Sequence, residues 1–284
     1  MTGSNGSATM ARRLGPDAQR YLAAGDGQKV TRPFHLRWAL PALCGTNLRL
    51  WWAVWVTSWI VLGMSTVGWA FARGLTPAQA ILTAGLLLGL PGILGPEVSI
   101  PVQVDLPATA LTMLGVSLMV TGQPVWMVLG LIVIGCASSV RETAPICAAL
   151  WLWSPWPLIA LIVPAIIALA RRPAESTGIA EWDRITDHPF RTALEYHAGR
   201  WRDARLMILP WGVCLVGLYA LDWRLAIILG IAYAQLLIAT DSVRLYQHIA
   251  GPALAFAAAS LIPDPWVPLA LVGHLFWIWK PERI

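Results

Sequence analysis

The sequence predicts an all-α fold: a polytopic integral membrane helix bundle with about 8–10 transmembrane segments. Three observations predict it. Hydrophobic residues make up 57% of the 284 and charged residues only 12%, whereas an ordinary soluble domain carries about 25% charge. That leaves too little polar surface to cover a water-facing globule. From Leu48 onward the chain is a succession of apolar runs divided by short polar or Pro/Gly breaks. Many of the 17 tryptophans stand at the ends of those runs, as Trp51, Trp52, Trp126, Trp153, Trp156, Trp223, Trp266, Trp277 and Trp279 do. An indole is apolar with a single N–H donor, so it favours the headgroup level of a bilayer.

Residues 1–15 are small and polar and read as a disordered tail. Residues 16–47 read as an interfacial N-terminal segment, because Leu22, Val30, Phe34, Leu36 and Trp38 are apolar positions that a free tail would not need. The first membrane helix group occupies 48–170. Its runs are Leu48–Phe71, Leu75–Gly95, Leu106–Val120 and Pro124–Val140, with a wetter stretch, Pro96 to Pro107, that carries Glu97 and Asp105. Thr143–Trp153 and Leu158–Ala170 flank the break Ser154-Pro155-Trp156-Pro157. Each half falls short of the roughly 20 residues of a full span, so they form one kinked span or two short pieces. A polar loop at 171–205 holds seven Arg and six acids. A second membrane helix group, 206–284, has runs at Leu206–Leu221, Arg224–Thr240, Ser242–Ile262 and Trp266–Trp279. The positive-inside rule puts the 171–205 loop and the Lys280–Arg283 tail in the cytoplasm. The basic N-terminal region joins them there only if the broken segment counts as two spans.

The net charge is +5, and residues 1–50 alone hold seven Lys/Arg against two Asp. So few charges on so apolar a chain exclude nucleic acid as a partner and point to membrane lipids. No stretch in residues 1–40 has the apolar core of a cleavable signal peptide. Cys44, Cys136, Cys147 and Cys214 lack CxxC spacing and read as small apolar fillers. No metal or cofactor is evident, although a divalent metal remains open, and His188 and His197 read as solvated residues.

Two clusters at run boundaries are candidates for chemistry: Ser138-Ser139-Val140-Arg141-Glu142-Thr143 and Thr240-Asp241-Ser242-Val243-Arg244. Ionisable groups near membrane depth cost about 2.5–3.5 kcal/mol each on insertion scales, so they need partners or a function. An Arg fork suits phosphate or carboxylate. The plainer alternative is a capped helix start with a snorkelling Arg, and Asp241 would then cap and pair with Arg244. In PDAQRYLAAGDG, Asp17 either serves as a base beside Tyr21 or opens a short helix that Gly25 ends.

The segment from Asp17 to Gly25 followed by Arg32-Pro33-Phe34 and Arg37-Trp38-Ala-Leu-Pro41, with Arg141-Glu142-Thr143 and Asp241-Ser-Val-Arg244, resembles the bacterial multi-pass membrane glycosyltransferases of the C superfamily. The matches touch about a quarter of the chain, and the chain departs from that group in having no transmembrane helix before the acidic segment. The resemblance implies sugar transfer from a polyprenyl-phosphate-sugar donor to an envelope acceptor. It makes Asp17 the catalytic base, with Tyr21, Arg37, Arg141, Glu142, Asp241 and Arg244 binding substrate. The alternatives are a non-catalytic binding or exclusion factor on the same scaffold, and a transporter, to which the broken Ser154–Pro157 segment points. A cavity is expected between the helix starting at Arg141 and residues 17–41.

Overall fold

The structure, a computed structural model, describes residues 16–30, 34–94, 102–171, 188–197, 207–237 and 243–278. Among these every regular element is helical. The N-terminal segment forms α1 (Pro16–Gly25), a 3-10 turn at Phe34–Leu36 and α2 (Ala39–Cys44). The longest helix, α3 (Leu48–Ala72), starts where the Asn47 side chain accepts from the Arg49 and Leu50 N–H groups. Beyond it, α4 (Pro77–Leu88) opens on a capping box between Thr76 and Gln79. A single turn, α5 (Pro91–Leu94), leads toward α6 (Asp105–Met119), which pairs with α7 (Pro124–Val140). After the Arg141–Thr143 corner come α8 (Ala144–Leu152), a 3-10 stretch at Trp156–Leu161 and α9 (Ile162–Ala170). The rest comprises α10 (Pro189–His197), a 3-10 segment at Leu209–Ala220, α11 (Trp223–Ala234), α12 (Val243–Leu261) and α13 (Val267–Ile278).

The helices run back and forth between two ends of one bundle. The break at Ser154–Pro157 is a reversal: Trp153, with φ 51° and ψ 47°, turns the chain, and α9 returns. Arg171, just past α9, lies over the Trp38 ring at 5.2 Å, so the 16–47 segment and the start of the polar loop share an end. The Trp277 indole donates to the Leu209 carbonyl at 3.0 Å, which brings the close of α13 to that same end. The other end holds the turns after α3, α6, α8, the Leu209–Ala220 segment and α12.

Close packing rests on small residues. A Cβ on Gly130 would sit 2.6 Å from the Gly115 carbonyl oxygen, and one on Gly115 would sit 2.8 Å from that of Gly130, so α6 and α7 cross in backbone contact. Such small-residue crossings suit helices that have no water to expel between them. One core joins buried residues of both helix groups, from Leu62 through Ile134 to Val267, so the two groups are not separate bodies. A second, smaller core holds Tyr21, Phe34, Leu40, Cys44 and Trp51 with Val102, Val104 and Val140. The N-terminal segment is therefore packed down through Phe34 and its neighbours.

Helix length is where expectation and structure part. Among the described residues one helix, Leu48–Ala72, is long and apolar enough to cross a membrane. Tyr246–Leu261 with Asp264–Trp277 passes jointly, bent by 115°. Six further apolar helices have 10–17 residues and α8 has 9, against the roughly 20 of a full span. Imino acids and glycine cut them: Pro91, Pro155 and Pro263 lack the N–H that would continue a ladder, and Gly212 breaks its segment at φ 53°. Outward surfaces are nonetheless apolar. Trp52, Val56, Ile60 and Met64 form an exposed stripe along α3, and Val125, Val128, Leu129 and Ile132 form another on α7.

Candidate functional site: an arginine–carboxylate cluster at one end of the bundle

Five separate stretches meet at the end that holds the N-terminal segment. α1 contributes Asp17, Arg20 and Tyr21, and the chain after the 3-10 turn contributes Arg37. The start of α6 brings Asp105 with Gln103 just before it, the α7–α8 corner brings Arg141 and Glu142, and the first turns of α12 bring Arg244 and His248. Seating α1 against Tyr21's ring neighbours, Phe34 at 5.4 Å and Trp51 at 6.4 Å, lowers its carboxylate onto the bundle. Close approach is allowed because α1 ends in Gly25, where a Cβ would lie 2.8 Å from the Gly45 backbone.

Asp105 is the centre. Its carboxylate pairs with Arg141 through Oδ1 and with Arg244 Nε through Oδ2 at 3.1 Å. Arg244 also donates to Gln103 Oε1 at 2.8 Å and stands 3.6 Å from Asp17 Oδ2. Asp17 meets Arg20 at 3.3 Å. Beside this chain, Arg37 grips Glu142 in a fork, with Nε 3.0 Å and Nη2 2.8 Å from the two carboxylate oxygens, and its Nη1 donates to the Tyr21 hydroxyl at 3.2 Å. Arg20 and Arg37 both lie over Phe34, at 4.8 and 5.6 Å from the ring centre. Beneath, Thr109 and His248 share a 2.6 Å hydrogen bond.

The electrostatics follow from burial plus pairing. Burial alone would raise the Glu142 carboxyl, but Arg37's charge and hydrogen bonds, with Arg141 next to it, pull it down to about 2. Burial pushes the Tyr21 phenol up to about 12, against the opposing pull of Arg37. Burial disfavours the Arg37 charge, yet Tyr21 and Glu142 more than offset this and hold its pKa well above the ordinary value. Among the described residues the cluster sets four guanidiniums (Arg20, Arg37, Arg141, Arg244) against three carboxylates (Asp17, Asp105, Glu142), an excess of one positive charge.

The structure thus brings together Asp17, Tyr21, Arg37, Arg141, Glu142 and Arg244. Asp241 lies outside the described residues, so its pairing with Arg244 does too; the partners seen for Arg244 are Asp105, Asp17 and Gln103. Asp17 lies in the first turn of a helix that runs to Gly25, which agrees with the helix-opening alternative for this residue. Between the Arg141 corner and residues 17–41, where a cavity was expected, stands the Arg37–Glu142 fork. Arg141 also lines a cavity of about 20 Å³ with Thr112, Cys147 and His248. That is room for about one water, and both the Arg141 Nε and the His248 Nε2 are buried without a hydrogen-bond partner.

Three participants escaped the sequence reading: Asp105, Gln103 and His248. Asp105 was legible as a carboxylate opening an apolar run, and His248 as the residue four beyond Arg244 on the same helical face. Among the described residues no three of His, Cys, Asp and Glu stand close enough to hold a metal ion. Comparison with family models, with curated proteins and with solved structures finds no match for this chain.

Proposed function

We propose that the chain is a multi-pass membrane protein that binds a polyprenyl-phosphate-sugar donor at the arginine–carboxylate cluster and transfers the sugar to an envelope acceptor. The membrane part is supported by the exposed apolar stripes on α3 and α7, since exposed apolar surface of this kind marks a contact with lipid or with a partner. The longer of the short helices, α6 and α7 with 15 and 17 residues, rise roughly 22–26 Å and would pass through a locally thinned bilayer. With α8 and α9 as separate passes, the cluster, the polar loop and the C-terminus share one face, which the positive-inside rule assigns to the cytoplasm.

The single observation that carries the functional part is the 3.6 Å approach of Asp17 to Arg244 within a cluster whose described residues carry one more guanidinium than carboxylate. A base for the acceptor hydroxyl and a guanidinium for the leaving phosphate stand side by side, where negative charge would develop. The donor phosphate would take over Arg244 or Arg20 from Asp17 and free that carboxylate for the acceptor. The test is sugar incorporation into membrane glycolipid or glycoprotein, with and without EDTA, since a phosphate donor can bring its own divalent cation. Asp17→Asn abolishes transfer with folding intact, and Arg244→Ala chiefly raises KM for the donor. Full transfer by Asp17→Asn refutes the role of Asp17.

A second reading has its own observation. All three carboxylates are already paired with guanidiniums, which suits a structural clasp of a non-catalytic membrane protein. No transfer by the parent chain across several polyprenyl-phosphate donors selects it.

A further inference from the structure

The opposite end of the bundle carries a second site. From Trp51 beside the cluster to Trp69, α3 climbs roughly 27 Å at 1.5 Å per residue, and there a cavity of about 200 Å³ opens between α3, α8, α11 and α12. Its floor is aromatic: Trp151 and Trp69 are 2% and 3% exposed, and Phe256 lies 5.1 Å from Trp69, ring to ring. Two guanidiniums stand at its rim. Arg73 follows the last turn of α3, and Arg224 is in the first turn of α11.

We propose that this cavity binds a phosphate ester, with Arg73 and Arg224 on the phosphate and the ester's apolar arm against Trp151 and Phe256. Neither guanidinium is ion-paired among the described residues, whereas the arginines of the first cluster all are. Arg224 is held in place by stacking over Trp153 at 5.8 Å and Trp223 at 5.4 Å. Asp222, the carboxylate in the wall, accepts from the Leu225 N–H at 2.8 Å and so caps α11. Trp69, whose ring belongs to the cavity lining, buries its indole N–H without a hydrogen-bond partner. Trp153 forms one wall from a left-handed backbone at φ 51°, a conformation that a residue with a Cβ adopts where the surroundings impose it. Space for about seven waters suits a phosphate with a few carbon atoms on it.

The chemistry is shared by two sources, the headgroup of a phospholipid and a soluble phosphate ester. The test uses the purified full chain and three probes: inorganic phosphate, hexyl phosphate, and phosphatidylcholine vesicles with and without phosphatidic acid. Calorimetry reads the first two, and mass spectrometry of lipid retained by the reconstituted protein reads the third. The expected result is saturable binding of hexyl phosphate, tighter than that of inorganic phosphate. Arg73→Gln and Arg224→Gln each weaken it about 10-fold or more. Both arginines are exposed, so their substitution leaves the melting temperature near that of the parent. Selective retention of phosphatidic acid, lost in Arg73→Gln/Arg224→Gln, identifies the lipid source; hexyl phosphate binding without such retention identifies the soluble one. In an Arg244→Ala background, Arg73→Gln/Arg224→Gln produces the same loss as in the parent, so this site stands or falls separately from sugar transfer. Absence of saturable binding for all three probes, or equal binding by Arg73→Gln/Arg224→Gln, overturns the proposal.

Discussion

Removing Glu142 tests whether the first cluster holds the N-terminal segment to the bundle. Arg37 reaches Glu142 across 105 positions of sequence through two hydrogen bonds, at 3.0 and 2.8 Å. The side chains are 14% and 24% exposed, so the pair is neither fully screened nor fully dry. Lowering a carboxyl from its ordinary 4.5 to about 2 corresponds to at most about 3.5 kcal/mol at about 1.4 kcal/mol per unit. Partial exposure brings the expected coupling to about 2 kcal/mol. For a chain of this size Glu142→Gln should therefore lower Tm by about 4–8 °C. The pH dependence has a definite sign. A depressed carboxyl contributes stability fully above about pH 4.5, and that contribution is lost as pH falls through the window down to about 2. The assay is thermal unfolding in detergent read by tryptophan fluorescence, which the buried Trp51 supplies beside the cluster at every pH of the window. Arg37→Met, Glu142→Gln and the double variant complete a cycle. Single costs that add within about 0.5 kcal/mol refute the coupling. So does a parallel loss of stability by parent and Glu142→Gln between pH 5 and 3.

Other expectations follow from the same geometry. Asp105→Asn leaves Arg141 and Arg244 facing a neutral amide, and loss of about 3–5 kcal/mol is expected, read as poor accumulation in the membrane fraction; parent-like yield and Tm would remove Asp105 from the centre of the cluster. Gly130→Ala puts a methyl 2.6 Å from the Gly115 carbonyl oxygen, and the forced separation of α6 and α7 is expected to cost about 1–3 kcal/mol, seen in the same thermal assay. Reporters fused after Ile284 and within the 171–205 loop are expected to be active only as cytoplasmic enzymes, and one at the N-terminus should agree with them; a mixed result would show that α8 and α9 are not two passes.

Composition and periodicity determined a great deal by themselves. Apolar runs bounded by Pro, Gly and Asn placed α3, α6 and α7 within a residue or two, because the desolvation of a backbone and the loss of an N–H at proline are local effects. The same locality marked the break at Ser154–Pro157 and the helix that starts at Asp17. What only tertiary structure decided is partnership. Arg244 was legible as a boundary cation, but its approach to Asp105 and Asp17, more than a hundred positions away in sequence, was not. Arg37 and Glu142 are an ion pair only because α1, α2 and the α7–α8 corner arrive at one end of the bundle. The direction of each helix belongs to the same class: whether α8 and α9 reverse depends on Trp153 and on the packing around it, not on the length of either run. A local pattern reports which groups need a partner in an apolar setting; which partner each one finds is set by long-range packing that no local spacing encodes.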